Sequence, residues 1–266
     1  MSDGAGDRMD GGGVRVLLAA AGLGTRLRPI TDRLPKCLVP IAGRPLIDYW
    51  FDRFQEAGLR DVLINTHHLP EQVRDYIAGV NARGSFRVRE AYEPVLLGSA
   101  GTVAANRDLA DGAGAVLIVY GDNLSGVDLR PLLAFHRSHG EAFTMMLFRT
   151  PYPEKCGIAE LDGEGRILSF EEKLKNPKSN LANAGLYVVT PEAYREMADM
   201  RAFDLGFDVL PRFVGRMRGW EWGGYHRDIG TPESLRQAEE DVAAGALRSS
   251  MDRSPAGVEG MGGGRR

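Results

Sequence analysis

Residues 14–21, VRVLLAAA, form a short and almost continuously apolar run that stops at Gly22-Leu23-Gly24. A run of that length closed by glycine predicts a buried strand, the kind found inside sheets covered on both faces. The chain beyond it alternates. Helical spacing of Leu46, Ile47, Trp50, Phe51 and Phe54 predicts a helix over 45–57, with Pro45 at its first position and Gly58 just past its end. Strands over 61–66, 86–92, 115–120 and 142–149 are interleaved with helices over 70–78 (stopped at Gly79), 100–107 and 128–139. That order predicts an α/β fold, with a mostly parallel central sheet and helices on both faces. After residue 150 the pattern changes: 157–161, the turn Asp162-Gly163-Glu164-Gly165 and 167–171 read as a β-hairpin. A strand over 186–190 and a long helix over 231–247, with Thr231 as N-cap and Pro232 first in the helix, complete the order.

Composition narrows the function classes. With 33 Lys+Arg against 36 Asp+Glu the net charge is −3, so no overall cationic field points to nucleic acid or an anionic membrane. No apolar stretch reaches the roughly 18 residues of a membrane span, and the residues before Val14 lack the positive region of a signal peptide. Cytoplasm is the default expectation. Two cysteines, Cys37 and Cys156, exclude a disulfide scaffold and agree with a reducing compartment. Glycine is in excess, at 34 of 266 residues, but five fall in 1–13 and five in 248–266, where apolar periodicity is lacking. Those ends read as disordered tails around a folded unit over 14–247. His136 and His139 share a helical face and His67-His68 follows a strand, yet no further ligand completes a zinc site around either pair.

In an open α/β sheet, ligands sit outside the carboxyl ends of the strands. The loops starting at Gly22, Leu96 and Gly121 are therefore the places to look for chemistry. The first reads Gly22-Leu23-Gly24-Thr25-Arg26-Leu27-Arg28-Pro29-Ile30-Thr31, then Leu34-Pro35-Lys36. Two glycines after a strand let backbone N–H groups approach a phosphate, and Arg26 and Lys36 add positive charge for a polyphosphate. The dinucleotide fingerprint lacks its third glycine, since Leu27 stands there, and no Walker A lysine follows. The full string resembles the signature of the sugar-1-phosphate nucleotidylyltransferases, Gly-x-Gly-Thr-Arg-Leu-x-Pro-x-Thr followed by Pro-Lys. The resemblance extends from Val14 to about Ala246. It implies a Rossmann-like nucleotide-diphospho-sugar transferase fold, and a reaction between a nucleoside triphosphate and a sugar-1-phosphate that releases pyrophosphate.

The other motifs take roles from this resemblance. Gly22, Gly24 and Thr25 would hold the nucleotide, together with Gly98, Ser99 and Gly101 of the Leu97-Gly98-Ser99-Ala100-Gly101-Thr102 segment, whose small residues let a flat base pack on backbone. Leu-Gly-Thr-Ala-Gly is frequent in mannose-1-phosphate guanylyltransferase-like members, and Ser99 replaces the Thr; GTP is the nucleotide this favours. Ser99 equally serves as a helix N-cap. Asp122, at the end of an apolar strand, suits Mg²⁺, which takes one or two carboxylates plus phosphate oxygens, or it caps the next turn. Asp228 in Arg227-Asp228-Ile229-Gly230 matches the family's second metal-binding Asp, although His226 stands where Trp is frequent. Glu172 and Lys173 match a Glu-Lys-Pro segment with Leu174 in place of Pro, and Asn183 matches an Asn-x-Gly-x-Tyr segment. Gly157, Glu172 and Asn183 would hold the sugar and Lys173 its phosphate.

Catalysis would then fall to Arg26, Lys36, Asp122 and Lys173, with Asp122 and Asp228 holding Mg²⁺. The expected reaction is an in-line displacement that needs no general base, with mannose-1-phosphate or a manno-heptose-1-phosphate as acceptor and a nucleotide sugar for surface polysaccharide or glycoconjugate as product. Alternatives are the same chemistry with UTP or dTTP and another hexose-1-phosphate, a glycosyltransferase of the same fold, and a non-catalytic regulatory homologue. Retention of Arg26, Lys36, Asp122, Lys173 and Asp228 argues against the last.

Overall fold

A computed structural model of the chain describes residues 12–247; the expected tails, apart from Gly12 and Gly13, lie outside the described residues. In order, the elements are β1 (Val14–Ala19), β2 (Pro40–Ile41), β3 (Arg44–Pro45), α1 (Leu46–Glu56), β4 (Asp61–Thr66), α2 (Pro70–Ala82), β5 (Arg87–Tyr92) and α3 (Gly98–Ala105). Then come β6 (Ala115–Tyr120), β7 (Asn123–Ser125), α4 (Leu129–Ser138), β8 (Phe143–Arg149), β9 (Gly157–Leu161) and β10 (Ile167–Glu172). The remainder is β11 (Leu181–Val189), α5 (Pro191–Asp199), β12 (Met217–Glu221), β13 (His226–Asp228) and α6 (Pro232–Ala243).

The parallel centre expected from the alternation is present as β6-β1-β4-β5, with Leu17 in register with both Leu63 and Ile118. Antiparallel β11 extends it beyond β6, and the β9–β10 hairpin and β8 join there. Alternation along each strand feeds two cores. Val16, Leu18, Leu117 and Val119 face α1, α2 and α4, packing on Trp50, Val73 and Leu132. Leu17, Val116 and Ile118 face α3 and α5, packing on Ala100, Val103 and Tyr194. Side chains of this kind each contribute about 1.5–3 kcal/mol when fully buried.

Several element bounds differ from expectation. β1 ends at Ala19, two residues early, because Ala20 turns its N–H to the Asn65 side chain at 2.6 Å. α2 continues through Gly79 to Ala82, because Val80 is buried on the same face as Val73 and Ile77, and that burial outweighs the roughly 1 kcal/mol helix penalty of one glycine. β11 starts at Leu181 and not at 186; a bulge between Asn183 and Tyr187 broke the period on which the expectation rested. α6 ends at Ala243. Among the described residues, no helix is long and apolar enough to cross a membrane.

A third, smaller core underlies the loops at the carboxyl end of the sheet. Leu27, Ile41, Leu46, Leu124, Ile229 and Leu235 are packed together there, the first five at 0% exposure. Leu27 follows Arg26, Leu124 lies two residues after Asp122, and Ile229 follows Asp228. Arg26, Asp122 and Asp228 are thus each fixed by an apolar neighbour in the chain.

Candidate active site

The loop after β1 folds back on itself. Gly24 is left-handed at φ 62°, and a Cβ there would lie 2.7 Å from Thr31 Cγ2 and 3.3 Å from Lys36 Cβ, so glycine is required on both grounds. The Gly24 carbonyl accepts from Leu27 N–H and from Thr31 Oγ1, both at 2.8 Å. His68 Nε2 donates to the Thr31 carbonyl at 2.7 Å and ties this loop to the end of β4. The histidine pair that followed β4 in the sequence is thereby a polar latch, with His67 Nδ1 donating to the Glu93 carbonyl.

The two aspartates meet through backbone pairing. β13 runs antiparallel to β7 with Asp228 opposite Asn123, and Ile229 N–H donates to the Asp122 carbonyl at 2.9 Å. Lys36, only 7% exposed, reaches between them: its Nζ donates to Asp122 Oδ2 at 2.7 Å and stands 3.7 Å from Asp228 Oδ1. The Arg26 guanidinium passes over Gly230 and ends 3.9 Å from Asp228 Oδ2. Burial and the neighbouring Asp122 charge push the Asp228 carboxyl above the usual range, while Lys36 and Arg26 pull the other way. An ammonium seated between two carboxylates marks a place that calls for positive charge. The carboxylates keep 40% and 56% of their side-chain surface in solvent, so lone pairs remain open to a second cation. Two open carboxylates awaiting phosphate oxygens form a donor set that fits Mg²⁺. Among the described residues, no larger group of His, Cys, Asp or Glu gathers that would cage a metal alone.

A mostly apolar cavity of about 230 Å³ opens beside this cluster, lined by Ala19–Gly22, Lys36, Asn65, Leu96, Gly98, Ser99, Tyr120, Asp122 and Phe203. Gly98 sits at φ 75° and packs against the Phe203 carbonyl, which accepts the Ala100 N–H at 3.0 Å. Ser99 is not the N-cap: Leu97 holds that position without a side-chain bond, and the Ser99 hydroxyl accepts from Leu205 N–H at 2.8 Å. Gly101 and Thr25 do not line the cavity; Gly101 lies in α3 against Leu97, and Thr25 opens the short 3-10 turn after Gly24. Behind the cavity lies a buried polar knot. Asn65 donates to Glu93 and Thr102, Thr102 donates to Glu93 Oε1, and Glu93 Oε2 accepts from Leu97 N–H. These bonds tie the ends of β1, β4 and β5 to the start of α3. Asn65 and Glu93 belong to no motif, and a polar residue at a strand end reads as a boundary, so nothing in the sequence marks them.

The candidate sugar residues lie around β9, β10 and β11. The Glu172 carboxyl is cradled by Gly157 and Gly206, where a Cβ on either would collide with it. Burial pushes its pKa up, with Lys173 opposing and Asp204 reinforcing the shift. Lys173 takes φ 54°, its N–H donates to the Cys156 carbonyl at 3.0 Å, and its Nζ stands 5.6 Å from the centre of the Phe207 ring. A proline at 174 would drive Lys173 toward extended backbone; Leu174 leaves it free to adopt this turn. Asn183 is held within the β11 bulge, donating to Tyr187 Oη and accepting from Gly185 N–H. The Cys156 thiol is pushed up by burial and by the charge of Glu172. His226 is half-buried against Phe148, and burial lowers its pKa to about 4, so it is neutral at neutral pH and only a weak base there.

The nucleotidyl transferase family model matches residues 15–245. A mannose-1-phosphate guanylyltransferase from Mycobacterium tuberculosis is 31% identical over 252 residues, 92% of this chain and 69% of that protein. Mannose-1-phosphate guanylyltransferase 1 of Arabidopsis thaliana is 29% identical over 82% of this chain and 62% of its own length. A mannose-1-phosphate guanylyltransferase catalytic subunit beta from Dictyostelium discoideum is 31% identical over 84% and 62%. The chain thus spans between 62% and 69% of the length of these relatives. In fold it is similar to a Bacillus anthracis crystal structure assigned as a glucose-1-phosphate thymidylyltransferase in complex with sucrose, at a TM-score of 0.75, 23% identity, and coverage of 85% of this chain and 94% of that one. The chain belongs to the nucleotidyl transferase family, among its sugar-1-phosphate nucleotidylyltransferases.

Proposed function

We propose that the protein transfers a guanylyl group from GTP to mannose-1-phosphate, giving GDP-mannose and pyrophosphate. The observation that carries this reading is Lys36 held between Asp122 and Asp228 at the mouth of an apolar cavity bordered by Gly98 and Ser99. The relatives named for this activity support the choice of substrates. In the reaction, an oxygen of the sugar phosphate forms a bond to the α-phosphorus of GTP as the bond to the bridging oxygen of pyrophosphate breaks.

Both reactants are anions, so the protein's task is to neutralise and align them. Lys36 is pre-oriented by its bond to Asp122, and its remaining N–H groups face the α-phosphate. Arg26, exposed beside Asp228, meets the triphosphate and the departing pyrophosphate. Lys173 draws the attacking phosphate, with Glu172 and Asn183 toward the sugar hydroxyls. Asp122 and Asp228 would hold Mg²⁺, whose chemistry there is Lewis-acid stabilisation of phosphate charge. The nucleophile is already ionised at neutral pH, so no side chain has to remove a proton.

Pyrophosphate release, with ATP, GTP, UTP and dTTP crossed against mannose-, manno-heptose- and glucose-1-phosphate, tests this directly. The highest kcat/KM is expected for GTP with mannose-1-phosphate. A higher value for another pair reassigns the substrates. No release from any pair overturns the enzymatic reading in favour of a regulatory one.

A further inference from the structure

Residues 203–208 lead into the one-turn π-helix Leu205–Val209, which no motif marks, and hydrogen bonds fix this turn in place. Asp208 Oδ2 accepts from the N–H groups of Phe203 and Asp204 at 3.1 and 2.9 Å. Asp204 Oδ1 accepts from Phe207 N–H at 3.0 Å, and Ser99 accepts from Leu205 N–H at 2.8 Å. The Phe203 carbonyl accepts from Ala100 N–H at the first turn of α3. These bonds fix the turn to itself and to the cavity wall.

What this anchoring displays is an aromatic ring that the core does not use. Phe203 is 61% exposed, although large apolar side chains normally bury their surface. Its ring carbons Cδ1 and Cδ2 lie 3.0 Å from where a Gly98 Cβ would stand, so the ring is laid against bare backbone at the cavity edge. The same cavity is lined by this ring with Leu96 and Gly98 and by the Lys36–Asp122 pair. A nucleoside triphosphate whose phosphates lie at the Lys36–Asp122 pair would set its base against the apolar part of this lining.

We infer that Phe203 is a wall of the nucleobase site, packing on the face of the purine, so that part of base affinity comes from the turn at 203–208 and not from the Gly98–Gly101 segment alone. The inference rests on the nucleotide reading above. An aromatic face against a base stabilises by dispersion and overlap irrespective of the hydrogen-bonding edge. It therefore strengthens purine binding generally, and leaves discrimination between bases to backbone groups.

Titration calorimetry with Mg²⁺, comparing GTP with inorganic tripolyphosphate, separates the base from the phosphates. Phe203→Ala is expected to weaken GTP about tenfold while leaving tripolyphosphate unchanged, with Phe203→Trp restoring GTP affinity. The KM for mannose-1-phosphate is expected to stay constant in both variants. Equal weakening of both ligands by Phe203→Ala would mean that the ring only supports the turn and overturns the inference. So would unchanged GTP binding, or a rise confined to the sugar-phosphate KM. If the unmodified protein binds tripolyphosphate but not GTP, the nucleotide reading falls and this inference falls with it.

Discussion

At Lys36 the chain places one ammonium where two carboxylates would otherwise face each other. Because Asp122 and Asp228 are about half exposed, solvent screens the interaction and it contributes about 1 kcal/mol. Lys36→Met is expected to lower the Tm by about 2–4 °C in metal-free buffer. Added Mg²⁺ should recover more of that loss in the variant than it adds to the parent, since it replaces the missing charge; differential scanning fluorimetry reads both. Turnover of Lys36→Met and of Asp122→Ala should fall at least about a hundredfold with the fold intact, as expected when transition-state charge loses a positioned partner. Near-normal kcat in either would sink the roles assigned to them. His136 supplies a pH prediction. Burial, aided by the charges of His139 and Arg137, lowers its pKa to about 4, and its Nδ1 bonds Thr144 Oγ1 at 2.8 Å. Below pH 6.5 the unfolded chain takes up a proton that the folded protein refuses, so stability is complete above that pH and is lost as pH falls toward 4. The full loss from this group is of order 3 kcal/mol, and urea midpoints of His136→Asn should show a flatter profile across that window.

Among the elements, β7, β13 and α6 act as one unit, because the third core joins Leu124, Ile229 and Leu235 beneath them. Thr231 caps α6 by accepting from Ser234 N–H at 3.1 Å, while Ser234 Oγ accepts from Thr231 N–H at 2.9 Å. This capping box starts three residues after Asp228. Thr231→Ala should cost about 1 kcal/mol, seen as a lower urea midpoint with an unchanged slope. A larger loss of kcat than of stability in the same variant would show that the cap also aims Asp228. In the loop after β1, Gly24→Ala adds a strained φ and a Cβ 2.7 Å from Thr31 Cγ2. The same Cβ would press on Lys36 Cβ at 3.3 Å, so turnover should drop more steeply than the Tm.

For the whole molecule, the gathering of Arg26, Lys36, Asp122 and Asp228 at one site implies that substrate stabilises the fold. Mg²⁺ with GTP at about a hundred times its Kd should raise the Tm by about 5–10 °C, and EDTA should remove most of that rise. The alternating apolar runs and the glycine turn after 14–21 were legible because strand burial and tight turns demand local residue types, while Pro35-Lys36 stood out only as part of the family string. Asp122 stands at the end of an apolar strand, where a turn cap serves as well, so its choice as a site candidate, like that of Asp228, came through the motif. The rest depended on contacts across long stretches of chain. No local pattern places Asp228 opposite Asn123, ties Asn65 to Glu93 and Thr102, or lays Phe203 against Gly98. The sequence by itself determined the order of elements and the chemistry that each loop can carry, since both follow from periodicity and residue type over a few neighbours. Which charges meet depends on packing across the chain: burial of Leu27, Leu124 and Ile229 in one small core brings Arg26, Asp122 and Asp228 together, and Lys36 reaches between the two aspartates.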